Sequence, residues 1–83
     1  MDRQQIVDVV LKHLRLNVDG LDDVEIDTER SMADFGASSL DIVEVVSSSM
    51  RELRIRVPMT ELSGLKNIGE LVALFVKRQD GAL

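Results

Sequence analysis

Ser38 and Ser39 are the residues of this chain whose placement could do chemistry. They lie in the stretch Asp34-Phe35-Gly36-Ala37-Ser38-Ser39-Leu40-Asp41, where Gly36 suits a last bend and either serine can cap a helix. A hydroxyl so placed can act in two ways. As a nucleophile it needs a positioned base. The sole histidine, His13, lies in a separate segment, and no Gly-x-Ser-x-Gly elbow is present, which argues against a serine hydrolase. As the acceptor of a group installed by another enzyme it needs only exposure at a bend. A helix N-terminus there favours a phosphate, because free N–H groups and the helix dipole point at it. Ser39 meets these requirements, with Asp41 adding some opposing charge. The bland alternative is that both serines are caps and nothing more.

The elements that must position this serine are legible in the apolar spacing. Ile6, Val7, Val10, Leu11 and Leu14 share one helical face, which predicts a first helix from about Asp2 to Leu16. Between Asn17 and Ser38 the periodicity dissolves among turn formers. Val18, Leu21, Val24, Ile26, Met32 and Phe35 recur irregularly, so the segment reads as an ordered loop pinned to the core. A second helix should start near Ser38 or Ser39 and end at Leu53 or Arg54, with Val43, Val46, Met50 and Leu53 as its core stripe. Asp41, Glu44 and Ser48 form an outward stripe on the same helix. Arg54-Ile55-Arg56-Val57 reads as an extended connector with Ile55 and Val57 docked inward, and Pro58 ends any helix before it. Met59-Thr60-Glu61-Leu62 suits one short helical turn. Asn67-Ile68-Gly69-Glu70 has the form of a capping box opening the last helix, whose face is Ile68, Leu71, Val72 and Phe75. The reading is all-α: a small four-helix bundle, three longer helices and one short, with a long loop between helices one and two. Residues 1–83 form one domain, with a frayed tail over 80–83.

Composition excludes several classes. There is no cysteine, so a thiol would have to come from a cofactor. Net charge is −5, which disfavours nucleic acid and favours basic protein surfaces. No apolar run approaches the roughly 20 residues that span a bilayer. The polar start Met1-Asp2-Arg3-Gln4-Gln5 shows no signal peptide, so a cytoplasmic protein without membrane contact is expected. The acidic cluster Asp22-Asp23-Val24-Glu25 lacks the alternating ligands of a calcium loop, and no metal site is expected. His13 reads as a surface or boundary residue. Met32, Met50 and Met59 read as core filling in preference to a ligand cavity.

The segment around Ser39 resembles the attachment motif of acyl and peptidyl carrier proteins, whose core is Gly-x-x-Ser-Leu; here it reads Gly36-Ala37-Ser38-Ser39-Leu40. The order of helices and the Val57-Pro58 step fit the same family. The resemblance implies 4′-phosphopantetheine esterified to Ser39, installed from coenzyme A by a phosphopantetheinyl transferase. It also implies a protein that is not an enzyme but carries intermediates as thioesters to loading and condensing enzymes with basic docking surfaces. Leu40, Asp41, Val43, Glu44 and Val57 are the partner-contacting positions it suggests, although periodicity alone reads Leu40, Val43 and Val57 as core anchors. A freestanding, monomeric carrier is expected.

Two departures shape the finer reading. Many fatty-acid carriers have aspartate before the serine, whereas this chain has Ser38. Arg51, Arg54 and Arg56 replace the acidic character such carriers keep further along. Both point away from housekeeping fatty-acid synthesis and towards polyketide or other specialised biosynthesis. An aminoacyl or peptidyl carrier of nonribosomal peptide assembly is the alternative. The Phe35-Gly36-Ala37-Ser38-Ser39-Leu40 form sits closer to acyl carriers than to the Gly-Gly motif of peptidyl ones. A helical interaction module with no prosthetic group is the remaining option.

Overall fold

The computed structural model describes residues 1–80: of the expected fray over 80–83, Asp80 instead closes the last helix, and 81–83 lie outside the described residues. Asp2 opens helix α1 (Arg3–Asn17) with a capping box: its carboxylate accepts from Gln5 N at 2.9 Å, and the Gln5 side chain accepts from Asp2 N at 2.9 Å. Helices α2 (Ser39–Leu53), α3 (Met59–Leu62) and α4 (Ile68–Asp80) follow. The fold is all-helical, with three longer helices and one short one, as the spacing predicts. α1 is the centre, packing against both α2 and α4. Its buried face is Ile6, Val7, Val10 and Leu14. Against it lie Phe75, Val72 and Leu71 of α4 and Val45, Val46 and Leu53 of α2, an aliphatic core with one fully buried ring. Truncating that ring, Phe75, would remove about 3–5 kcal/mol.

The buried face of α2 keeps Val46 and Leu53 of the expected stripe but is turned away from Val43 and Met50. Val45, Val46, Ser49 and Leu53 are buried, whereas Val43 is 47% exposed and Met50 lies at the margin. α1 covers one side of α2, so the apolar side chains on its flank stay outside the packed layer. Ser49 takes a core position that hydrophobicity does not predict: it is fully buried, and among the described residues its Oγ has no hydrogen-bond partner.

The long loop is pinned by Val18, Leu21, Ile26, Met32 and Ala37, all buried. Val24 is exposed and Phe35 half-buried, so these two expected anchors are corrected or weakened, and Ala37 takes their place. The loop's backbone also holds the start of α4. Arg30 O accepts from Ile68 N at 3.0 Å and Thr28 O from Gly69 N at 2.7 Å. A Cβ on Gly69 would stand 3.2 Å from Thr28 O, so glycine permits this close approach. The expected capping box is half present. Asn67 Oδ1 accepts from Glu70 N at 2.7 Å, but the Glu70 carboxylate accepts from Lys66 N at 2.8 Å instead of the Asn67 N–H.

α2 ends at Arg54, whose φ of 58° is the left-handed conformation. That geometry costs a non-glycine residue roughly 1–2 kcal/mol. The chain then extends, with Ile55 and Val57 buried as the alternation predicts. Near this end Glu52 ties α2 to α1, meeting Lys12 Nζ at 2.7 Å and His13 Nε2 at 2.8 Å. The hydrogen bond from Lys12, and then that from His13, holds the Glu52 carboxyl below its ordinary value of 4.5.

Ser49→Ala is expected to stabilise the fold by about 1 kcal/mol, by deleting an unpaired buried hydroxyl. Thermal unfolding would then shift upward by roughly 4–8 °C for a chain of this size. The Glu52 carboxylate binds its proton less readily folded than unfolded, so its contribution is present above pH 4.5 and fades as pH falls through the lowered value. Glu52→Gln should therefore melt below the wild type at neutral pH, and the gap should close in acid.

Candidate functional site

The approach to α2 is built from two reciprocal Ser-x-x-Asp boxes on either side of Gly36. In the first, Asp34 N donates to Ser31 Oγ at 3.2 Å and Ser31 N to Asp34 Oδ2 at 3.1 Å, which holds the short 3₁₀ turn Ala33–Phe35. Gly36 ends that turn at φ 95°, a left-handed bend open to glycine and strained for other residues. Ala37 then plugs into the core. In the second box, Asp41 N donates to Ser38 Oγ at 3.2 Å and Ser38 N to Asp41 Oδ2 at 2.9 Å. The repeat of Ser-x-x-Asp seven residues apart is a signal in the sequence that the helix-two reading alone does not use.

This arrangement divides the labour between the two serines. Ser38 is the N-cap, and its hydroxyl is committed to the backbone of Asp41. Ser39 is the first residue of α2 and is exposed. Among the described residues no hydrogen bond engages its Oγ. The N–H groups of Ser39 and Leu40 belong to the first turn, where an α-helix offers them no internal partner. A free hydroxyl stands at the positive end of a helix dipole, beside two free donors: a setting suited to a phosphodiester.

The other sequence-derived positions separate clearly. Leu40 is 82% exposed, the most open large hydrophobic side chain described, and Val43 is exposed one turn on. Glu44 is exposed and accepts from Ser48 Oγ at 3.0 Å. Asp41 is half-buried and occupied by the cap, so its carboxylate has a structural role whatever else it meets. Val57 is a correction. At 6% exposure it belongs to the core, because the extended connector turns it inward, away from the face that carries Leu40, Val43 and Glu44. Leu40, Val43 and Glu44 therefore form a patch with Ser39, and Val57 stands apart.

Beside this patch an apolar groove of about 270 Å³ opens between α2, α3 and the segment leading into α4. Ile42, Val43 and Val46 form one wall, and Met32, Met59 and Leu62 contribute to the rest. Met59 is 62% exposed and so does not fill the core; with Met32 it lines this groove. Core filling, the expectation for both, holds for buried Met32 and fails for Met59, since a methionine at a gap and one inside a core have the same sequence pattern.

Residues 7–75 match the family described as the phosphopantetheine attachment site. The chain is 32% identical over 82 residues to the polyketide biosynthesis acyl-carrier-protein AcpK of Bacillus subtilis (strain 168), covering 99% of this chain and 100% of that protein. This chain belongs to the acyl carrier protein family. An acyl carrier protein of Amoebophilus asiaticus (strain 5a2) is also 32% identical, over 76 residues, covering 90% of this chain and 89% of that one. In three dimensions the fold matches a chain of the crystal structure described as the curacin biosynthetic pathway HMG synthase in complex with an acetyl-donor acyl carrier protein. The TM-score is 0.82 at 32% identity, with 90% of this chain and 96% of that chain covered. The carrier family's prosthetic group, phosphopantetheine, is thus this protein's cofactor.

The two serines should respond differently to truncation. Ser38→Ala, which removes the cap, is expected to cost about 1 kcal/mol. Ser39→Ala should leave thermal stability nearly unchanged, since that hydroxyl holds nothing. Parallel melts of the two variants followed by circular dichroism decide this.

Proposed function

We propose that Ser39 is the residue that carries the phosphopantetheine arm, and that the protein serves as a non-catalytic acyl carrier in polyketide biosynthesis. The observation that carries this is the split between the two serines: one hydroxyl locked into the helix cap, its neighbour exposed and unengaged. In the loading reaction the Ser39 Oγ forms a bond to phosphorus and the pyrophosphate bond of coenzyme A breaks. The adenosine bisphosphate leaves, and the hydroxyl proton passes to a base of the phosphopantetheinyl transferase. Once bound, the arm supplies a thiol that holds an acyl group as a thioester, chemistry the cysteine-free chain cannot provide. The chain's own part is to hold Ser39 in the open and to present an address around it.

Leu40, Val43 and Glu44 supply that address: an apolar knob and a carboxylate on one exposed face, suited to the basic docking surfaces of loading and condensing enzymes. The groove beside them supports an acyl cargo. It is lined mainly by aliphatic and methionine side chains, and at about 270 Å³ it falls just below the roughly 300–1,000 Å³ of ordinary small-molecule sites, so a short chain fits. The polyketide assignment draws on AcpK and on the curacin acetyl-donor carrier as relatives. A monomer working in the cytoplasm fits this role, and among the described residues no helix is long and apolar enough to cross a membrane.

Incubation with coenzyme A and a promiscuous phosphopantetheinyl transferase should add the mass of one arm to the wild type and nothing to Ser39→Ala. Ser38→Ala should still be modified. Intact-mass spectrometry reads all three, and an unchanged gain in Ser39→Ala would overturn the assignment.

A further inference from the structure

The opposite end of α2 carries charge that the carrier reading leaves unused. Arg51 stands in the last turn, Arg54 at the C-cap and Arg56 on the connector, all three exposed. Among the described residues none of the three makes an ion pair, whereas Lys12 is held by Glu52 and Arg78 by Glu61. Arg15 is likewise engaged, donating to the carbonyls of Leu21 and Val24. In a chain of net charge −5, three neighbouring unpaired cations are a local reversal of sign. They flank a shallow groove of about 810 Å³, whose floor includes Met50, Val57 and Pro58.

Helix electrostatics explains only part of this. Cations near a helix C-terminus are favourable, which accounts for Arg51 and Arg54. Arg56 lies beyond the helix, turned outward by the same alternation that buries Ile55 and Val57. Arg54 is the one non-glycine residue described with positive φ, at a cap where glycine would be free of strain. An arginine there keeps a guanidinium where the backbone favours glycine.

We infer that Arg51, Arg54 and Arg56 form a second docking surface, which receives an acidic amphipathic segment of a partner protein. The partner's carboxylates meet the guanidinium forks, and an apolar side chain seats against Met50 and Pro58. Arginine forks match carboxylates bidentately, and the groove floor between them gives an apolar anchor a seat. The overall charge of −5 repels nucleic acid and anionic membranes at long range. A short acidic segment meets the patch within a Debye length, where local charge dominates. The patch stands whether or not Ser39 is modified. If the carrier reading holds, α2 presents Glu44 near one end and arginines at the other, some 20 Å from Ser39 by helical rise. A partner engaging both would be held in one orientation.

The test uses the full chain, isotope-labelled and followed by amide chemical shifts. The probe is a synthetic amphipathic helical peptide with one glutamate face and one leucine face. Saturable shifts are expected at residues 50–58, with affinity weakened about tenfold or more in Arg51→Gln/Arg54→Gly/Arg56→Gln. A scrambled peptide of the same composition should also bind more weakly, since it cannot seat an apolar side chain between the charges. Glycine at position 54 relieves the backbone while deleting the charge, and a thermal melt confirms that the variant folds. Shifts centred elsewhere, or equal binding by the triple variant, would overturn the inference. So would pyrophosphate or phosphatidylglycerol vesicles moving these amides when the peptide does not, or self-association through them without peptide. Loading of Ser39 by the transferase is measured on the same variant. Failure of the patch leaves that loading intact, and failure of loading leaves peptide binding intact.

Discussion

The reciprocal hydrogen bonds between Ser38 and Asp41 are the constraint on which the site depends. They satisfy two backbone donors at the start of α2 with two side chains that bracket Ser39 in the sequence. Because Ser38 does this, Ser39 need not. Its hydroxyl can stay exposed without leaving the helix end uncapped, and the remaining first-turn donors stay available to an anion. A single serine at this point would face a conflict between capping the helix and being modified. Many fatty-acid carriers place aspartate before the modified serine. Serine in that position keeps the acceptor for the cap while removing one negative charge beside the site.

Support for that helix end comes from further away. The Ser31–Asp34 box and the left-handed Gly36 set the direction from which the chain enters α2, and buried Ala37 fastens it. Behind them the long loop is held by scattered aliphatic anchors and by two carbonyls that accept from the first amides of α4. The loop thus joins the two helices that flank α1.

α2 is asymmetric along its length as well as around its axis. Near Ser39 it exposes Leu40, Val43 and Glu44; at its far end it exposes arginines. Only α1 packs broadly against it, which leaves its flank free to form the groove with α3. Val43 is therefore a wall and not a core residue, and the same exposure that takes it out of the core makes it available to cargo or partner.

Much of this was legible in the chain. The helix spans, the capping of α1 and the extended inward-docking connector follow from 3.6-residue spacing, cap chemistry and proline and glycine geometry, all local properties. The resemblance of Gly36-Ala37-Ser38-Ser39-Leu40 to a carrier motif named the family that sequence and fold comparison show. What only the tertiary structure decided concerns which apolar residues find a neighbour. Periodicity cannot tell that α2 is covered on one side, so it placed Val43 in the core and missed buried Ser49. The alternation did place Val57 inward, and its burial follows that reading and not the partner-contacting role the resemblance suggested. Nor could it divide Ser38 from Ser39, since either is a competent cap; the choice depends on where the helix begins, and that is settled by Gly36, Ala37 and the core that receives them.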